Sequence, residues 1–284
     1  MKFAKLSLAV AALVVSTSGL AQSVAGDAST AYVKVPTTGS NVPGMPTGKA
    51  GVSMPRTAAI DPTLQSYVVG FAAGPIAQTN AKLAGGYGNA FLNLPGTSTL
   101  ISETWRYAGP NGTDIYAYRQ ISAPAPNFPY FGGEVIAKVS GQEVYFGEWA
   151  PPGGNNGTTH DANLNMTDSR RTVFYVGENP TASMPTLINA KYDVVGIRRY
   201  NPDTHTGVHT GVLTANYGGA SGTLTGTVWS ANFSGTTIAS NGTFQNSSGT
   251  IKGRFYGTNA SALAGIYNPS GHANDMAFGG AKRP

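Results

Sequence analysis

From residue 142 onward the chain repeats one pattern: short runs of β-branched and aromatic residues, each closed by Gly, Asn, Pro or Ser. Such runs read as strands and their punctuation as tight turns. Strands are expected near 142–149, 171–178, 190–200, 211–218, 222–229, 236–246, 249–257, 263–268 and 275–283. Several alternate cleanly. Ile251, Gly253 and Phe255 fall on one face of their run, with Lys252, Arg254 and Tyr256 on the other. Leu224, Gly226 and Val228 alternate in the same way with threonines and Trp229. Glycines recurring on the inward face suit a tightly curved, closed sheet better than a flat sandwich. The fold class is therefore all-β. An irregular, β-rich ligand domain is expected over 22–170, and an eight-stranded antiparallel β-barrel over 171–284.

Composition agrees with this and removes several functions. Gly accounts for 38 of 284 residues, and only 11% are charged, against roughly 25% in an average soluble domain. There is no Cys, which excludes a disulfide framework, a CxxC zinc site and a thiol nucleophile. The strands are too short, or too polar on both faces, for the lipid-spanning pattern of about 9–11 residues, so a water-soluble barrel is expected. Lys2 and Lys5 followed by the apolar run 6–15 and small residues form a secretory signal peptide, placed at 1–21. Setting those two lysines aside leaves little of the formal charge of +5. No window gathers Lys and Arg into a phosphate-tracking patch, so nucleic acid is not an expected partner.

Enzyme signatures are lacking as well. GxSxG, HExxH, Walker A and dinucleotide glycine motifs do not occur. Glu148, Asp161, Asp168 and Glu178 are near one another in sequence, but nothing fixes a catalytic spacing, and no enzyme is expected.

The last 35 residues carry a series of short motifs. Gly253-Arg-Phe-Tyr-Gly257, Ala262-Leu-Ala-Gly-Ile-Tyr267 and Ala277-Phe-Gly-Gly-Ala-Lys-Arg283 follow one another, preceded by Gly222-Thr-Leu-Thr-Gly226. This series resembles the signature that closes the C-terminal barrel of the transferrin-binding protein B family, over about residues 170–284. The final strand has one additional Gly, and the turn 258–262 is uncharged. The resemblance implies an exported bacterial protein, a client of the Slam-type outer-membrane translocator. One branch of that family comprises lipid-anchored receptors for host proteins. The other comprises unlipidated, secreted haem-binding proteins, the hemophilins. Without Cys the chain departs from the lipidated branch, so the resemblance implies a secreted haemophore. It would take haem b, possess host haemoproteins as a source, and deliver to an outer-membrane TonB-dependent haem receptor. The alternative is a host-protein-binding surface module of the same barrel family without a cofactor, and a third is a lipocalin-like carrier of another apolar ligand.

Haem iron takes axial ligands, most often His. The four histidines are His160, His205, His209 and His272. If the strands alternate in direction, loops 150–170 and 201–210 leave the same end. His160 and either His205 or His209 would then face one another across a flat ligand, while His272 would leave from the opposite end. Arg198, Arg199 and Tyr200 precede the second loop and are candidate partners for propionates, because guanidinium pairs well with carboxylate. Phe128, Tyr130 and Phe131 are candidate apolar walls. His205 and His209 are four apart, but Thr206, Gly207 and Thr210 disfavour a helix, which argues against a zinc pair.

Overall fold

The computed structural model describes residues 23–35, 48–55, 65–76, 86–94, 97–122, 131–154 and 159–284. The signal segment 1–21 and Tyr130 lie outside the described residues. Apart from three single turns, every element within them is a strand.

Strand β1 (Val24–Ala28) is followed by a hairpin of β2 (Gly51–Pro55) and β3 (Gln65–Gly70). A meander comes next: β4 (Tyr87–Leu94), β5 (Thr97–Ala108), β6 (Asp114–Gln120), β7 (Gly133–Lys138), β8 (Val144–Ala150) and β9 (Thr172–Glu178). These six strands pair in sequence order, and β1 adds to β9, giving a seven-stranded antiparallel sheet. The chain continues through β10 (Leu187–Ile197), β11 (Val208–Tyr217), β12 (Ser221–Val228), β13 (Ala231–Asn232), β14 (Thr236–Ala239), β15 (Thr243–Asn246), β16 (Ile251–Tyr256), β17 (Ala262–Tyr267) and β18 (Met276–Lys282). Here β10 pairs with both β11 and β18, and β11 pairs with β12, so the sheet closes. Eight strands form the barrel, and β13 is a two-residue addition beside β12.

The expected alternation fills the barrel. Leu224, Val228, Ile251 and Phe255 point into one core with Tyr192, Phe244 and Phe278. Thr223, Thr225 and Thr227 are exposed on the outside. Apolar inside and polar outside is the inverse of a lipid-facing barrel. Gly253 and Gly265 are register partners on the inner face. A methyl at Gly253 would lie 2.3 Å from Cζ of Phe244, and one at Gly265 would lie 2.6 Å from Cζ of Phe278. The two bare positions thus admit two rings in a barrel this narrow.

The seven-stranded sheet lies between two covers. Ile115, Ala117, Val135, Phe146, Val173 and Tyr175 pack on the outer face of β10, β16, β17 and β18 through Val195, Tyr256, Ala264 and Ala277. Its other face, with Tyr116, Ile136, Trp149 and Phe174, is covered by Val33, Val52 and Phe71. Being covered twice explains one departure from the sequence expectation. The strand near 171–178 is counted with the barrel by its rhythm, yet it is β9 of the first sheet, and the barrel begins at Leu187. All seven residues of β9 are buried, as a strand covered on both faces requires.

A second departure concerns direction. The stretch 236–246, expected as one strand, is two, with Asn241-Gly242 turning between β14 and β15 and Gly242 at φ 80°. That extra reversal changes the direction of every later strand. The loop carrying His272 therefore emerges at the same end as the loop after β10, not the opposite one. Arg198 of the latter bonds Ala273 O and Asn274 Oδ1 of the former, both at 3.0 Å.

Candidate functional site

Where the β8–β9 and β10–β11 loops meet the edge of the first sheet there is a cavity of about 380 Å³. Its lining includes Tyr87, Trp105, His160, Pro202, Asp203 and His205, together with Gly86 and Arg106. Its volume is within the range of small-molecule sites, about 300–1,000 Å³. The structure therefore brings His160 and His205 to one cavity, although their loops belong to different sheets.

His160 is placed by the sheet. Its peptide N–H donates to Oε1 of Glu103, and its ring lies 5.2 Å from that of Tyr87. Glu103 is on β5 with Trp105 and Tyr107 on the same face, and its side chain is 0% exposed. It also accepts from the Tyr87 hydroxyl at 2.6 Å and from Arg119 Nε at 3.0 Å. Burial alone would raise the Glu103 carboxyl. The hydrogen bonds from Tyr87, the His160 amide and Arg119 outweigh it and hold the group below the usual carboxylate range. The Tyr87 hydroxyl is pushed up to about 12, by burial first and by Glu103 second.

His205 is placed by its own loop. Oδ1 of Asn201 accepts from the amides of Asp203 and Thr204, both at 3.0 Å, the local turn that Asn-Pro-Asp sequences favour. The imidazole stacks on Tyr107 with centroids 3.9 Å apart and planes 10° from parallel. Its Nδ1 meets the Tyr200 hydroxyl at 3.0 Å, so Nε2 is the nitrogen left for a ligand. Burial raises that hydroxyl above the usual tyrosine range. His160 and His205 both have left-handed backbones, φ 60° and 54°. Such conformations cost on the order of 1 kcal/mol or more in a non-glycine residue, and persist where the surroundings over-determine them.

The other candidates fall elsewhere. His209 lies on β11, not in the loop, because that strand begins at Val208. Its ring is 5.4 Å from Trp229. Its Nε2 is buried without a hydrogen-bond partner among the described residues, and burial, then Arg198, lowers its pKa. Arg198 is turned away from the cavity, its guanidinium 4.3 Å above Trp229. Arg199 contributes its peptide N–H to Glu148 at 2.9 Å. Tyr200 is not on the cavity lining and bears on it through His205. Phe131 packs on the opposite face of the sheet, and Tyr130 and Phe128 lie outside the described residues. Aromatic walls come instead from Tyr87 and Trp105, with Tyr107 bearing on the cavity through its stack on His205; the sequence reading selected none of the three. Their signal was present as the one-face alternation Glu103-x-Trp105-x-Tyr107. Nothing in that alternation indicates which loops will cover it.

Among the described residues no group of three or more His, Asp or Glu side chains could hold a bare metal ion. A porphyrin supplies four equatorial nitrogens itself and asks the protein only for one or two axial ligands. The donor set here, imidazoles beside aromatic walls, with His205 oriented by a phenol on its other nitrogen, fits that requirement.

The class of protein is thus a β-barrel with an antiparallel sheet docked on its flank and an open, loop-rimmed cavity where the two meet. A family model for the C-lobe and N-lobe β-barrels of Tf-binding protein B matches residues 139–283, and the chain belongs to this family. It is similar to a double mutant of transferrin-binding protein B from Haemophilus parasuis Hp5, at 17% identity and TM-score 0.29, covering 69% of this chain and 41% of that one. It is also similar to the isotype 1 protein from serogroup B Neisseria meningitidis, at 12% identity and TM-score 0.32, covering 82% and 63%. For a mutant from Actinobacillus pleuropneumoniae H49 the values are 10% and 0.31, covering 91% and 99%. The chain spans 41% of the first of these.

Proposed function

We propose that this is an exported haem-binding protein. His160 and His205 would ligate the iron, and Tyr87 and Trp105 would provide the apolar walls, with Tyr107 stacked on His205. The observation that carries the reading is that two histidines from separate loops line one cavity. When bound, haem supplies a strong visible chromophore and an iron whose spin state reports its ligands. Burial of the porphyrin faces against aromatic rings would supply much of the affinity, at ~25 cal/mol per Å² of apolar surface. Arg106, the basic side chain on the lining besides the histidines, is the candidate for a propionate, although it is paired with Asp114 at 3.0 Å. Export through a Slam-type translocator, uptake from host haemoproteins and delivery to a TonB-dependent outer-membrane receptor belong to the same proposal.

Haemin titration followed in the Soret region tests it. Saturation at one equivalent is expected, with a low-spin ferric spectrum if both histidines ligate. His160→Ala and His205→Ala should each convert that spectrum; an unchanged spectrum in either removes that residue from the site. Family membership favours a second reading, capture of a host protein such as transferrin. In that case the titration stays flat while a pull-down with transferrin retains the partner.

A further inference from the structure

Two acidic side chains in the sheet are unusual in being fully buried and in bonding to both histidine-bearing loops. The side chains of Glu103 and Glu148 are each 0% exposed. Both project from the sheet towards the barrel, Glu103 in line with Trp105 on β5, and Glu148 in line with Phe146 on β8. Each is held by one buried arginine. Arg119 Nη2 is 2.5 Å from Glu103 Oε2, and Arg171 Nη1 is 3.0 Å from Glu148 Oε2.

Each carboxylate then uses its remaining acceptor capacity on loop backbone. Glu103 accepts from the amide of His160 itself. Glu148 accepts from the amides of Arg199 at 2.9 Å and Tyr200 at 2.6 Å. Tyr200 in turn orients His205. The buried N–H of Tyr200 must be satisfied, and a carboxylate can serve several donors at once because it carries about four lone-pair sites and no donor. The two anchors lie on β5 and β8, separated by three strand spacings, or about 14 Å. Because they share one rigid sheet, the separation of the two loops is fixed by the sheet and not by the loops.

We propose that Glu103 and Glu148 are positioning residues, which set the placement of His160 and His205 by pinning their loops to a common sheet. This rests on the haem-binding reading only for its consequence at iron; the pinning is a property of the ligand-free chain.

The test uses the full chain and the variants Glu103→Gln and Glu148→Gln. Glu134→Gln serves as control, since Glu134 is buried in the same sheet but faces away from the barrel. A glutamine keeps one acceptor but presents two donors to the loop amides and the arginine. Amide hydrogen exchange, read by NMR without ligand, should show His160 exchanging about tenfold faster in Glu103→Gln, and Arg199 and Tyr200 about tenfold faster in Glu148→Gln. With haemin, both variants should show altered ferric EPR g-values while the control keeps the wild-type signal. Unchanged exchange at these amides overturns the proposal, and so do wild-type g-values in both glutamine variants. If wild-type chain takes up no haemin, the haem reading fails, and the exchange measurement still decides the pinning. Should Glu148→Gln not fold, its combination with Arg171→Met removes the orphaned guanidinium and is read in the same way.

Discussion

Glu134 gives the sharpest test of the packing described above. It is 2% exposed on the hairpin-covered face of β7, opposite Tyr118 on β6 and Trp149 on β8. Its Oε1 has no hydrogen-bond partner among the described residues, and neither has Nε1 of Trp149. Burial alone raises its pKa from 4.5 to about 8. Between those values the folded protein holds a proton that the unfolded chain has released. Stability must therefore fall as pH rises, by ~1.4 kcal/mol per pH unit for one such group. The contribution is fully present below the unfolded value and is lost as pH climbs to the folded one. From pH 5 to 7.5 the loss is about 3 kcal/mol, a large share of a typical 5–15 kcal/mol. Glu134→Gln is neutral throughout. Urea melts of both proteins from pH 4 to 8 should show the variant gaining on the wild type as pH rises, by about 4 kcal/mol near pH 7.5 relative to pH 4. Taking the difference removes the carboxyls whose pKa is lowered, such as Glu103 and Asp168, which act in the opposite sense in both proteins. Parallel pH profiles would show that the carboxyl is not desolvated and would refute the assignment of that face as a sealed layer.

Three further outcomes follow from geometry. Gly253→Ala places a methyl 2.3 Å from Phe244 and 2.4 Å from the carbonyl of Ala264, so a loss of about 1–3 kcal/mol is expected in denaturant melts; wild-type stability would mean the barrel interior is slack there. Arg171, 2% exposed, bonds Glu148 and the Asp275 carbonyl. Arg171→Met should cost about 3–5 kcal/mol by leaving a buried carboxylate without its cation, whereas Arg170→Met, on the part-exposed pair with Asp168, should cost under about 1 kcal/mol. Tyr200→Phe removes the hydroxyl at His205 Nδ1 while keeping the ring. It is expected to leave the melting curve within about 1 kcal/mol while shifting the haemin spectrum, and an unaltered spectrum would detach Tyr200 from the site.

The barrel was legible because its constraint is local. Period-two alternation with threonines on one side and Leu224 or Val228 on the other reports a sheet with one wet face, and inward glycines at 226 and 253 report its tight curvature. The same locality misled at β9, where an apolar run with turn residues at each end looks alike in a barrel and in a doubly covered sheet. A single Asn-Gly turn at 241–242, read as part of one strand, was enough to put His272 at the wrong end, because strand direction is a running parity and one missed reversal inverts everything after it.

Residue type by itself excluded a cysteine ligand and left four histidines as the first candidates for an axial position, and the strand count brought the loops of His160 and His205 to one end. Which histidines meet a common cavity was decided only by tertiary structure. His209 is withdrawn into the ladder by the start of β11, and Arg198 is drawn onto Trp229. The aromatic walls of the cavity are Tyr87 and Trp105, in a segment without any motif. They join Pro202, Asp203 and His205 around one cavity only because the sheet docks on the barrel, and docking depends on two apolar surfaces matching across more than a hundred residues of chain, a contact that no window of sequence contains.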